Sequence, residues 1–116
     1  LNSDGNSRRD FIYLRDVFNK ISKIMHQKIN KDIYYNFSSG KTFKIIKIAK
    51  IVQEEASKIL KKKIKLKVNL KNKVKENKFT VLSDIYAKRI NKKKIENKLR
   101  NEIKKIIKNY NNLWKF

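Results

Sequence analysis

The run Arg8-Arg9-Asp10-Phe11-Ile12-Tyr13-Leu14-Arg15-Asp16-Val17 decides how this chain is read. An arginine–aspartate pair opens a short apolar and aromatic stretch, which suits an extended segment over residues 9–14. An Asp-Val pair then opens a second pattern. From Asp16, apolar side chains fall at Val17, Ile21, Ile24, Met25 and Ile29, one face of a helix. Asp16 is placed to cap that helix, or to set an anion in its first turn where the dipole favours one.

Before this run, residues 1–7 are polar and Gly5 lies in an Asp-Gly-Asn turn. After it, residues 32–37 (Asp-Ile-Tyr-Tyr-Asn-Phe) are rich in β-formers and predict a strand. Ser38-Ser39-Gly40 breaks that strand. Helical spacing returns at Ile45, Ile48, Ala49, Val52, Ala56, Ile59 and Leu60, and the cations Lys61, Lys62 and Lys63 close it. Residues 64–70 (Ile-Lys-Leu-Lys-Val-Asn-Leu) alternate strictly and predict the clearest strand of the chain. A charged loop over residues 71–78 follows, then a short strand over 79–82. Ser83-Asp84 then caps a short helix to Ile90. A last helix carries Leu99, Ile103, Ile106, Ile107 and Tyr110 on one face, and Trp114 and Phe116 fall in a frayed tail. With no proline, no repeat and no Gly/Ser linker, the pattern is one mixed α/β unit.

Composition narrows the function classes. The absence of cysteine excludes a disulfide framework and a thiolate metal site. No apolar run approaches the roughly 18 residues of a membrane span, and no signal-peptide pattern opens the chain. The 32 Lys+Arg against 10 Asp+Glu give a formal charge of +22, a field that attracts polyanions. Two readings of it stand side by side. One is a selected surface for nucleic acid or another polyanion. The other is drift: 27 Lys, 17 Ile and 14 Asn make half of the 116 residues, and all three have AT-rich codons. The lysines are spread along the whole length, as drift would leave them.

Four blocks, in order, carry a resemblance. Arg9-Asp10-Phe11-Ile12 with Asp16-Val17 is similar to an Arg-Asp-aromatic-Ile-x-Val-x-Asp-Val signature. Tyr35-Asn36-Phe37-Ser38-Ser39-Gly40-Lys41 is similar to Tyr-Asn-(Ile/Leu)-Gly-(Ser/Thr)-Gly-Lys. Residues 81–88 are similar to an Asp-Ile-Ser-Lys-Ala-Lys helix start, and Leu99 to Tyr110 match a closing helix. Together they resemble the C-terminal half of the extended short-chain dehydrogenase/reductases, the NAD(P)-dependent epimerases and dehydratases that act on nucleotide sugars. The chain departs from that pattern at Ser38, where glycine is preferred and a strained or reshaped backbone is expected. It departs again at Lys44, where a capping serine is common, and at residues 91–94, where Leu-Gly-Trp-x-Pro is usual. In Lys73-Val74-Lys75-Glu76, lysine replaces the arginine of an Arg-x-x-Glu/Asp element.

The resemblance implies an α/β fold class: the C-terminal portion of an extended Rossmann-type enzyme, with residues 1–116 as a single substrate-binding segment. The strand over residues 32–37 would then sit in a parallel sheet. Leu1 in place of methionine is consistent with a segment of a longer chain. The implied ligand is a nucleoside-diphosphate sugar, with Arg9 and Lys73 as diphosphate-binding residues. Arginine's planar fork suits phosphate oxygens; lysine offers only a point charge. The alternative for Arg9 is a surface ion pair with Asp10 or Asp16, and for Lys73 plain solvation. NAD(P) would be bound by the other, N-terminal half. The two glycines, Gly5 and Gly40, cannot form a Gly-x-x-Gly-x-x-Gly turn. Tyr13, Tyr34, Tyr35, Tyr86 and Tyr110 all lack a lysine four residues on, so no Tyr-x-x-x-Lys pair is present and no catalytic residue is assigned. Expected partners are a missing or separate Rossmann half, a homodimer in the intact enzyme, and non-specific polyanions, in the cytoplasm. Asp10 and Asp16 read as structural carboxylates, His26 as a surface or half-buried histidine. Tyr34, Tyr35 and Phe37 read as a strand with at least one face in the core.

Overall fold

The computed structural model describes residues 1–28, 32, 34–79 and 91–113. Strand β1 (Arg8–Asp10) leads into helix α1 (Leu14–Met25); strand β2 (Thr42–Lys44) leads into helix α2 (Ile45–Leu60); helix α3 (Lys92–Leu113) follows. Among the described residues the result is a small mixed α/β unit with three helices and a two-stranded sheet. The strands are antiparallel, with Arg8 opposite Lys44, Arg9 opposite Phe43 and Asp10 opposite Thr42.

The core sits where α2 and α3 pack under β2. Phe43, Ile51, Ala56, Ile95 and Ile103 are its buried apolar side chains. Phe43 is the anchor. Its ring is almost wholly covered, with the ammonium groups of Lys92 and Lys47 lying 5.3 and 5.8 Å from its centroid. The helical expectation for α2 holds: Ala56 of the expected apolar face is buried, and Ile45, Ile48, Ala49, Ile59 and Leu60 are half-buried. Val52 is exposed, while Ile51 and Glu55 are buried. Glu55 is accommodated because Arg100 of α3 donates to its Oε1, with Lys104 and Lys58 nearby.

Several expectations are corrected. The extended segment ends at Asp10, and Leu14 already belongs to α1. Tyr13, not Asp16, is the N-cap of α1; Asp16 lies in the first turn and pairs with Lys98 of α3 at 2.8 Å. Residue 32 and residues 34–37 form no strand. β-forming side chains make a strand only beside a ladder, and among the described residues no neighbour supplies one. Tyr34 is exposed, and Tyr35 and Phe37 stack on each other at 6.4 Å with Lys20 over Tyr35. Residues 64–69 alternate half-buried and exposed side chains, but they too form no regular ladder, and Leu70 lies in a turn. Ser38 has an ordinary backbone; the left-handed conformation of that turn is carried by Gly40, at φ 70°. The strand and short helix expected over residues 80–90, and the tail from Trp114, lie outside the described residues.

The helix starts follow local chemistry. Lys44 offers α2 no side-chain cap, as its identity implies. Two backbone carbonyls from the N-terminal loop do the work instead: Ile45 N–H donates to Ser7 O, and Ile46 N–H to Gly5 O, both at 3.0 Å. Asn91 caps α3, its Oδ1 accepting from Lys93 N–H at 2.9 Å.

Candidate functional site

β1 is the element that the expected ligand chemistry rests on, and three consecutive residues of it point to three different tasks. Arg8 faces inward. Its Nε donates to Thr42 Oγ1 at 3.1 Å, Nη2 to Thr42 O at 3.2 Å, and Nη1 to Glu76 Oε1 at 2.8 Å. Lys44 reaches the other oxygen of Glu76 at 3.0 Å. Hydrogen bonds from Lys44, with Arg8 adding to them, hold the Glu76 carboxyl below its ordinary value. Arg8, Thr42, Lys44 and Glu76 thus tie β1, β2 and the charged loop into one frame.

Arg9 alternates to the opposite, exposed face. Its one side-chain hydrogen bond among the described residues runs from Nη1 to the carbonyl of Arg8, at 2.7 Å. Among the described residues no carboxylate pairs with it. Asp10 is engaged elsewhere, its Oδ1 accepting from Ser39 N–H at 2.8 Å, and Asp16 pairs with Lys98. The ion pair with Asp10 or Asp16 that the sequence left open is therefore not formed.

Lys73 is exposed on the loop after residues 64–70. Both of its neighbours are anchored to the N-terminal segment. Asn72 O accepts from Asp4 N–H at 3.0 Å, and Val74 N–H donates to Asp4 Oδ1 at 3.3 Å. The fold therefore mounts Arg9 and Lys73 on one framework, yet no contact joins the two cations. Asp4 is held below its ordinary value, first by the backbone N–H of Asn6.

The turn beside Arg9 is built by Asp10. Ser39 Oγ donates to Lys41 O at 2.9 Å and accepts from Lys41 N–H at 3.2 Å, so Ser39 folds the turn while Asp10 ties it to β1. Asp10→Ala would strand a buried Ser39 N–H, a loss of about 1–3 kcal/mol. Asp10→Asn keeps the acceptor and should cost less. Urea denaturation of the two variants checks this; equal losses would show that the acceptor is not what matters.

The α2 N-terminus follows a glycine-containing turn and a strand, and its first two amides are taken by Ser7 and Gly5 carbonyls rather than left for a dinucleotide pyrophosphate. The first turn of α1 carries the anion Asp16. Among the described residues no group of three or more His, Asp or Glu is placed to hold a metal. His26 lies exposed at the end of α1, its Nδ1 2.6 Å from Ser22 O. No helix among the described residues is long and apolar enough to cross a membrane.

Sequence reasoning gave Arg8 and Thr42 no role in the frame and placed Gly5 only in a turn. The charge alternation of the loop named Glu76 only as part of a motif, and nothing in the sequence singled out Arg8 over Arg9 as the anchored cation.

Compared with protein-family models, with curated proteins and with solved structures, the chain matches none of them.

Proposed function

We propose that this chain is the nucleotide-sugar-binding portion of an NAD(P)-dependent epimerase or dehydratase of the extended short-chain dehydrogenase/reductase type, without hydride-transfer chemistry of its own. The observation that carries the reading is the state of Arg9. A guanidinium on a hydrogen-bonded strand, exposed and, among the described residues, unpaired with a carboxylate, offers its fork to an incoming oxyanion. Lys73, on the loop bound to the same framework, is the second cation assigned to the diphosphate.

A further feature supports a larger assembly. Leu14, Phe18, Ile21 and Met25 form a stripe at helical spacing on α1, and all four are exposed. Beside them lies a cavity of about 360 Å³ lined by Phe11, Ile12, Leu14, Ile95, Leu99 and Ile103 among others. Apolar area of this extent on one side of a small chain is characteristic of a surface that a second body covers. In this reading that body is the Rossmann half, supplied by the same or a separate polypeptide, which brings NAD(P).

The competing polyanion module draws less support from α2 and α3, where Lys47, Lys58, Lys98, Arg100, Lys104 and Lys105 are each within an ion pair.

A thermal-shift panel of UDP-, GDP- and dTDP-hexoses tests the proposal. The matching ligand at 100 times its Kd should stabilise the chain by about 2.7 kcal/mol. Arg9→Ala should weaken its affinity by about 10- to 100-fold, the worth of a hydrogen bond to a charged group. No stabilisation by any member of the panel, together with duplex DNA binding that persists at physiological salt, would replace this reading with the polyanion module.

A further inference from the structure

We propose that residues 64–70 present an open strand edge that accepts an extended, acidic peptide segment of a partner protein. This inference is independent of the sugar-nucleotide reading.

One edge of the segment is already in use. The ammonium of Leu1 donates to Lys67 O at 2.6 Å, and Asn69 N–H donates to Leu1 O at 3.1 Å. That is the bonding of a single parallel bridge opposite Val68. Backbone groups alternate in direction along an extended chain, so those of Leu66 and Val68 point to the other edge. Among the described residues, none of their N–H or C=O groups has a hydrogen-bond partner. The same edge is blocked at its start, where Ser57 Oγ accepts from Ile64 N–H at 3.2 Å and Gln53 Nε2 donates to Ile64 O at 2.7 Å. Two side chains of α2 thus occupy the first ladder position and leave the next two open. A groove of about 560 Å³, lined by Gln53, Glu54, Ser57 and Ile64 with the lysines at 61–63 and 65, opens beside it, and Glu54 there is paired with Arg100.

Side-chain chemistry selects the occupant. Ile64, Leu66 and Val68 are half-buried on one face, while Lys65, Lys67 and Asn69 are exposed on the other. An added strand sets its own side chains about 5 Å from these, so it needs apolar residues beside Leu66 and Val68 and carboxylates beside Lys65 and Lys67. A second copy of this chain is rejected at the same edge, because its lysines would meet these lysines. Lysine on an edge strand is a recognised device against self-pairing. The chain's charge of +22 also speeds the approach of an acidic partner over a neutral one. Strand addition of this kind draws affinity from main-chain bonds and specificity from alternate side chains.

Two blocked heptapeptides of equal composition provide the test. One alternates Glu with Val; the other groups its glutamates at one end. With the full chain in 0.15 M salt, the alternating peptide should bind saturably and at least ~10-fold more tightly than the grouped one. It should also slow amide exchange at Leu66 and Val68 by ~10-fold or more, the mark of a hydrogen-bonded backbone. Lys65→Glu combined with Lys67→Glu, both at exposed positions, should reverse the preference toward an alternating lysine peptide. Equal affinity for the two acidic peptides, or unchanged exchange at Leu66 and Val68 in the unmodified chain, would overturn the proposal.

Discussion

Gly5→Ala should lose about 3 kcal/mol of stability, the sum of a left-handed backbone penalty and local overpacking. Two independent features require glycine here. Its φ is 72°, a conformation that side chains other than glycine's disfavour. A Cβ built on it would lie 2.8 Å from Ile46 Cβ and 2.9 Å from Ile46 N. The second obstacle is backbone, which cannot swing aside as a side-chain tip can. The same close approach lets Gly5 O cap Ile46 N–H, so any relief that moves the loop outward breaks the cap. For a chain of this size the loss corresponds to a fall of roughly 10 °C in Tm. A fall under ~2 °C in a calorimetric melt would show that the N-terminal loop is not packed against α2 as described.

Glu55→Gln should be the second large effect. Glu55 is 2 % exposed, the most deeply buried charge among the described residues. Arg100 donates to its Oε1, while Lys104 and Lys58 lie 3.7 and 4.0 Å from its oxygens. Removing the anion leaves Arg100 half-desolvated without its main counter-charge, a loss of about 3 kcal/mol by analogy with broken buried pairs. Glu54 supplies an internal comparison. It pairs with the same Arg100 at 2.9 Å, but its side chain is 52 % exposed, so Glu54→Gln should cost below about 1 kcal/mol. Equal effects of the two substitutions would sink the argument that burial sets the value of the pair.

The same contact fixes a pH dependence. Hydrogen bonding from Arg100, aided by Lys104 and Lys58, holds the Glu55 carboxyl below its ordinary value of 4.5. A carboxyl depressed on folding contributes stability that is present above 4.5 and is lost as pH falls through its folded value. Glu76 and Asp4 are shifted in the same direction and weaken in the same acid window. Acid denaturation of the unmodified chain should therefore begin below pH 4.5, and Glu55→Gln should flatten that limb. The Glu55 partner Arg100 is pushed the opposite way, upward, and stays charged throughout.

Much of the helical layout was legible. The 3.6-residue spacing from Ile45 to Leu60 falls on α2, and that of the closing helix on its central face, because that signal is local and repeated. The strands were not legible in the same way. Residues 32–37 and 64–70 carry the composition and alternation of strands, yet the ladder the structure forms is Arg8–Asp10 with Thr42–Lys44, three residues on each side. Strand identity depends on a partner more than thirty residues away, and alternation says nothing about where that partner is. Within α2, the exposure of Val52 and the burial of Glu55 were not legible for a related reason. Periodicity counts a glutamate as polar, and only a cation delivered by another helix turns Glu55 into a core residue.

The candidate site divides along the same line. In the sequence, the resemblance implied Arg9 and Lys73 as diphosphate-binding residues, while residue order alone determined that a glycine-rich dinucleotide turn and a Tyr-x-x-x-Lys pair are not among its 116 residues. Those are matters of side-chain type and order. Only the tertiary structure decided which of two adjacent arginines is spent on the frame and which is left open. Arg8 is fastened to Thr42 and Glu76, residues 34 and 68 positions away, while Arg9 faces solvent with its possible carboxylates already engaged. The physical reason is that a strand sends neighbouring side chains to opposite faces, and which face is buried is settled by what packs against it.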